Sequence, residues 1–217
     1  MTDCTSLNSM HGLPITREWL DMAACKSVNH LKIESDAECL LVIEKEAIYT
    51  RLNEDKFFDR TKCIIICGKG FPDLATRACL FVLHRSLQLP VYGLCDCNPY
   101  GVSVLMTYFK GSKKLGIETD MYSVPIQWLG LRPSQIDSLN DGLPKEVFQS
   151  LTDLDRRRLY TLMEETCAFT NLHDERQKEL ISMNNGGFKL EIESLQWFGL
   201  DFVTKWLQER LEKDDSI

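Results

Sequence analysis

The chain has no long apolar run: 44% of its 217 residues are hydrophobic, yet no stretch approaches the ~20 apolar residues that cross a bilayer. Its opening, MTDCTSLNSMHG, has neither the basic start nor the apolar centre of a secretory signal. Together these absences predict an intracellular protein. Histidine is scarce, with single residues at 11, 30, 84 and 173, and no cysteine pair has the two-residue gap of a zinc knuckle. A structural zinc site is therefore not expected. An excess of basic charge is missing too, since 25 Lys and Arg face 32 Asp and Glu for a net charge of −7. That balance argues against non-specific coating of nucleic acid, so any DNA contact must rest on a local basic patch. Internal repeats and low-complexity tracts are also absent.

What is present reads as one large domain, or a core with a helical appendage. The nine cysteines of a chain without a secretory signal are expected as reduced thiols. Lys110-Gly111-Ser112-Lys113-Lys114 is the one basic cluster that stands out. It reads equally well as a DNA patch or as a solvated loop after a helix.

Strand and helix patterns alternate from residue 39 onward. Cys39-Leu40-Leu41-Val42-Ile43 is a continuous apolar run, as in a strand buried on both faces. Helix-like residues follow from Lys45 to Leu52, and Cys63-Ile64-Ile65-Ile66 makes a second buried strand. Pro72 and Asp73 open a helix running to about Gln88, whose apolar face includes Leu74, Ala78 and Phe81. Pro90 to Leu94 is a third strand. After a turn at Asn98-Pro99, Val102, Leu105, Met106 and Phe109 mark a helix. The fourth strand lies at Tyr122–Val124 or at Ile126–Leu129. A weak helical pattern covers 14–26, with Trp19, Leu20 and Ala23 on one face. From Arg132 the rest reads as helices, with stripes at Leu159, Leu162 and Met163 and at Phe202, Val203, Trp206, Leu207 and Leu211.

In a parallel sheet, Glu44 and Asp96 emerge at the same carboxyl edge, and Gly68-Lys69-Gly70 lies along it between them. Open α/β sheets bind ligands at that edge. Hard oxygen ligands there suit Mg²⁺, which keeps several waters and uses one or two carboxylates plus substrate phosphate. The plainer account, with equal weight on spacing alone, makes both acids helix caps or first-turn acids. Gly-Lys-Gly could let backbone N–H groups approach an anion, with Lys69 reaching a phosphate, but it is not a P-loop: the four-residue spacer and the Lys-Ser/Thr pair are missing.

Four segments carry a resemblance: VIEKEAIYTRL (42–52), CGKGFPDLATRACL (67–80), LPVYGLCDCNPYGVSVLMTYFKGSKK (89–114) and VPIQWLGLRPSQ (124–135). In order and spacing they resemble the Toprim region of topoisomerase VI A subunits and of the related meiotic DNA double-strand-break proteins. NNGGFKLEIESLQWFGLDFVTKWL (184–207) resembles that family's closing segment, and the cysteine-rich composition points to the meiotic branch. The resemblance implies a Rossmann-like α/β Toprim sheet flanked by helices, with a C-terminal helical extension. Expected boundaries are a short N-terminal segment at 1–37, the remnant of a missing domain, then Toprim at 38–132 and the extension at 133–217.

It further implies a Mg²⁺-dependent, DNA-cleaving core located in the nucleus. Partners would be DNA, a second copy or a full-length relative, and a topoisomerase VI B-like subunit. Glu44 and Asp96 correspond to the family's magnesium ligands. The family commonly has a second aspartate two residues after Asp96, where this chain has Asn98, an amide that coordinates without charge and also suits a turn before Pro99. Phosphate or DNA contacts are expected from Lys69, Arg77, Lys113 and Lys114. The family's tyrosine nucleophile, which joins a 5′ phosphate, lies in a winged-helix domain before the Toprim region, and only residues 1–37 stand there. None of the six tyrosines has that context. Three readings follow: the metal-binding part of a meiotic DNA-breaking enzyme, a non-cleaving partner or regulator of full-length relatives, or an unrelated Rossmann-like phosphoesterase.

Overall fold

Residues 12–24, 33–111, 122–139, 142–167 and 173–217 are described by the structure, a computed structural model. A short helix, α1 (Glu18–Ala24), precedes the sheet. Five consecutive apolar residues are stable as a strand only where both faces and both edges are covered. Cys39–Ile43 meets that condition as β1: every residue is buried, and parallel strands pair on either side. The chain continues through α2 (Glu46–Glu54), α3 (Phe57–Thr61), β2 (Cys63–Cys67), α4 (Leu74–Leu87), β3 (Val91–Leu94), α5 (Pro99–Lys110) and β4 (Ile126–Gly130). The four strands are parallel, in the order β2-β1-β3-β4. Of the two candidates for the last strand, Ile126–Gly130 takes the role, while Tyr122 and Val124 are buried ahead of it.

The C-terminal part adds α6 (Pro133–Asp137), α7 (Asp153–Cys167), α8 (His173–Gly186) and α9 (Phe202–Glu212). It also holds a two-stranded antiparallel pair, β5 (Gln149–Ser150) with β6 (Phe188–Lys189), and a 3₁₀ segment at Ile192–Phe198. These short elements depart from the all-helical expectation, because two residues are too few for an alternation to show. Leu159, Leu162, Leu180, Leu195, Trp206 and Leu207 belong to the same buried cluster as the sheet. Cys97 and Leu190 exchange two backbone hydrogen bonds of 3.0 Å, which fasten the helical part to the carboxyl edge of the sheet. At the opposite side, Ile217 exchanges backbone bonds with Trp128, and Arg132 and Arg210 both pair with Asp215. The free edge of β4 is thereby covered. No described helix is long and apolar enough to cross a membrane.

Asp155 ties α7 to β6. Its Oδ2 accepts from the Thr152 N–H (2.9 Å) and hydroxyl (2.7 Å) and pairs with the Lys189 ammonium at 2.9 Å. Burial works against this carboxylate, but the lysine and the capping donors outweigh it and hold its pKa below the ordinary value. A depressed pKa gives stability that is fully present above the ordinary carboxylate range and is lost as pH falls through the folded value. Asp155→Asn is therefore expected to melt below the parent at neutral pH by an amount that closes as pH falls below about 4. Melting curves from neutral to acid pH check this.

Candidate metal centre

The strand order brings the two acids together. From β1 the chain first moves outward to β2, then crosses back past β1 to β3. The crossovers therefore run in opposite senses from the β1–β3 seam, leaving a crevice at the carboxyl ends of that pair. Glu44 directly follows β1, and its N–H donates to Leu94 O of β3 at 3.0 Å. Asp96 stands two residues past β3, and its N–H donates to Glu44 Oε2 at 3.0 Å. Gly101, in the first turn of α5, lies over both acids. A Cβ there would come within 2.6 Å of Asp96 O and 3.0 Å of Glu44 Oε2.

Asp96 is buried, at 4% exposure. Its Oδ1 accepts from the Ile192 N–H at 2.9 Å, and its Oδ2 lies 3.0 Å from the Lys45 ammonium. The same ammonium is 2.6 Å from Glu193 and 3.3 Å from Glu191. Burial raises the Glu44 pKa to about 7; the Asp96 N–H works against that rise, while the Asp96 charge adds to it. Burial also raises the Asp96 pKa, opposed by the Ile192 N–H and by Lys45. Lys45 is affected in the reverse sense: burial favours its neutral form, but Glu193 and Asp96 more than compensate and hold it charged. The centre thus carries two desolvated carboxylates whose charge is only partly met by the protein.

Among the described residues no three His, Cys, Asp or Glu side chains converge as a ready-made cage. An ion at this edge would rest on the two carboxylates and on water, a donor set that fits a hard divalent cation such as Mg²⁺. A shallow cleft lined by Asp137, Lys178 and Phe188 lies elsewhere and has a single acid.

The family model for the Toprim domain of Spo11 and the topoisomerase 6 A subunit matches residues 39–211, from β1 into α9. The chain belongs to this family. Meiotic recombination protein SPO11-2 of Oryza sativa subsp. indica is 36% identical over 194 residues, covering 88% of this chain and 48% of that protein. The A3 subunit of DNA topoisomerase 6 from the same rice is 39% identical over 187 residues, 85% of this chain and 41% of the relative. Meiotic recombination protein SPO11-1 of Arabidopsis thaliana is 35% identical over 217 residues, 99% of this chain and 56% of the relative. The chain spans about half the length of the curated relatives it matches. Both the parallel sheet and the family match agree with the Toprim α/β fold expected from the sequence.

Within this Toprim domain, Asn98 lies beside Asp96 but spends its oxygen on the helix. Oδ1 caps α5 by accepting from the Tyr100 and Gly101 N–H groups at 2.9 and 2.8 Å, and Nδ2 faces Asp96 Oδ2 at 3.4 Å. The Gly-Lys-Gly loop is also spoken for. The Gly70 N–H donates to Glu44 O at 2.8 Å, so it braces the acid rather than facing an anion. Gly70 has a φ of +96°, which favours glycine there. Lys69 is exposed and pairs with Glu46 at 2.7 Å. α4 starts at Leu74, after Asp73 caps it through the Thr76 N–H, which places an acid where an anion would have approached.

Arg77 does not face a phosphate in this structure, because its side chain is fully buried. It belongs to the unbroken buried run from Thr76 to Leu80 in α4. Of the apolar face expected from Leu74, Ala78 and Phe81, Ala78 is buried and the other two are half-exposed. Lys113 and Lys114 lie outside the described residues. Six described cysteines are free: Cys39, Cys63, Cys79, Cys95 and Cys97 are buried, and Cys67 is half-buried.

Sequence reasoning missed Lys45, Glu191, Glu193 and Gly101. Lys45 and Gly101 sit inside recognised motifs, each next to or near an expected ligand. The two glutamates come from the far end of the chain, and the Cys97–Leu190 bridge and the Ile192 N–H bond to Asp96 bring them to the site.

Proposed function

We propose that this chain is the metal-binding Toprim part of a topoisomerase VI A-like protein that makes DNA double-strand breaks to initiate meiotic recombination in the nucleus. The observation that carries the reading is the pairing of Glu44 and Asp96 at adjoining strand ends in a domain of this family. Glu44 and Asp96 would hold Mg²⁺, which supplies stabilisation of charge on phosphate oxygens. Asn98 holds the start of α5 in register and directs its amide toward Asp96. The Ile192 N–H fixes the Asp96 carboxylate from the opposite side. Lys69 meets the DNA backbone by giving up Glu46, and Lys113 and Lys114 add charge to the same purpose.

We assign the attacking tyrosine to none of the six here. Tyr92, Tyr108 and Tyr122 are buried, and burial together with Asp214 raises the Tyr92 pKa to about 12, which disfavours a phenolate. The proposed partners are DNA, a second copy or a longer relative, and a B-like subunit of the topoisomerase VI kind.

Duplex DNA titrated with the chain in Mg²⁺ at several salt concentrations tests the DNA interface. The logarithm of the binding constant should fall linearly with the logarithm of salt, and Lys69→Ala should reduce that slope by about 1. Absence of binding at low salt would remove the DNA reading. The capping of α5 by Asn98 Oδ1 favours a second reading, in which metal affinity is low and the chain is a non-cleaving partner of full-length relatives. Under that reading the chain forms a mixed dimer with a longer relative, seen as a mass of one of each, and suppresses its cleavage. A chain that stays monomeric in such a mixture excludes it.

A further inference from the structure

Lys45 occupies a position that local helix physics disfavours. It is the N-cap of α2 and makes no side-chain cap bond, since an ammonium has no acceptor to offer the exposed N–H groups. Its positive charge also stands at the helix end that repels cations. The side chain is instead drawn across the carboxyl edge of the sheet into three carboxylates from two distant parts of the chain. These are Asp96 at 3.0 Å, Glu193 at 2.6 Å and Glu191 at 3.3 Å. The three form a gradient of exposure, from 5% for the Asp96 side chain through 32% for Glu193 to 52% for Glu191.

We propose that the Lys45 ammonium is an internal counter-cation: it offsets part of the acid cluster's charge when no divalent ion is bound, and binding of that ion drives it off Asp96, leaving it on Glu193 and Glu191, which it already touches. The inference rests on the reading of Glu44 and Asp96 as the metal pair. The Asp96 carboxylate, whose Oδ2 Lys45 already holds, is the group both cations would share, and two positive charges beside one carboxylate repel each other. The flexible four-carbon stem allows the ammonium to swing, and the outward move is toward more exposed acids, where water shares the charge. Glu193 and Glu191 are thus positioning residues. They hold the displaced ammonium near the site without touching the metal. Because both cations compete for one group, removing either must favour the other.

Mn²⁺ binding to the full 217-residue chain, followed by calorimetry and by the loss of the free-ion paramagnetic signal, reads this exchange. Lys45→Met is expected to tighten Mn²⁺ binding by about tenfold or more, given the strength of unit-charge interactions at partly buried sites. Glu193→Gln should weaken binding in the parent and have a smaller effect in the Lys45→Met background, since part of its role runs through the lysine. Mn²⁺ affinity that is unchanged or lower in a folded Lys45→Met variant overturns the inference. If that variant does not fold, the unaltered chain still decides: one lysine signal in its ε-carbon NMR spectrum must shift in step with Mg²⁺ occupancy, and the absence of any such shift overturns the exchange. Asp96→Asn separates the two levels of the reading. Lost binding there with unchanged affinity in Lys45→Met defeats only the exchange, whereas retained binding in Asp96→Asn defeats the metal pair itself.

Discussion

Asp96→Asn should lose divalent-ion binding while keeping its fold. The amide retains an oxygen at the place where Oδ1 accepts from the Ile192 N–H, so the buried backbone donor stays satisfied. What disappears is the negative charge, which burial already disfavours in the metal-free protein. Removing that charge takes a desolvated carboxylate away from Glu44 and Glu193, and against this Lys45 loses one of three partners. These effects oppose each other, and the net change in metal-free stability is expected within about 1 kcal/mol. Asp96→Ala removes the acceptor as well. It should cost a further ~1–3 kcal/mol because the Ile192 N–H is then buried without a partner. Thermal melts with and without Mg²⁺ separate the cases: the parent gains stability with added metal, and neither variant does.

Gly101→Ala should destabilise the protein although alanine is the better helix former. In an open helix the exchange would gain about 1 kcal/mol. Here the new methyl would sit 2.6 Å from Asp96 O and 3.1 Å from Asp96 N, both backbone atoms two residues past β3, and 3.0 Å from Glu44 Oε2. That backbone is held at both atoms, its O by the Asn98 N–H and its N–H by Glu44, and cannot swing aside as a side-chain tip does. Overpacking of this kind typically costs ~1–3 kcal/mol, which outweighs the propensity gain. The same displacement stretches the bond from the Asp96 N–H to Glu44 Oε2, so the acids separate and metal affinity falls with stability. A Gly101→Ala variant that melts above the parent would show that α5 lies farther from the acids than these distances state. Denaturant midpoints and a metal titration on the same sample give both numbers.

The sheet was legible because its strands are buried on both faces, and five-residue apolar runs such as Cys39–Ile43 leave few alternatives. Two acids placed directly after such strands, two crossovers apart, also predicted a shared edge, and the pairing of β1 with β3 makes them neighbours. Arg77 was expected at a phosphate, but α4 is enclosed on nearly every side from Thr76 to Leu80, and no apolar stripe in the sequence marks an arginine there as buried. The Gly-Lys-Gly loop was read as free backbone, yet Gly70 donates to the carbonyl of Glu44, a partner 26 positions earlier that local sequence cannot show. Asn98 had two readings, ligand and turn residue, and its oxygen serves the helix. Glu191 and Glu193 reach the site through long-range packing alone. Their approach follows from the bridge at Leu190, which no periodicity signals.

Glu44 and Asp96 are proposed to hold one divalent ion at the carboxyl ends of β1 and β3. Anomalous diffraction from crystals grown with Mn²⁺ tests it most directly. A single strong peak is expected between the two carboxylates, absent from Asp96→Asn crystals grown identically. A peak elsewhere with none between Glu44 and Asp96, or an undiminished peak in Asp96→Asn, would contradict it.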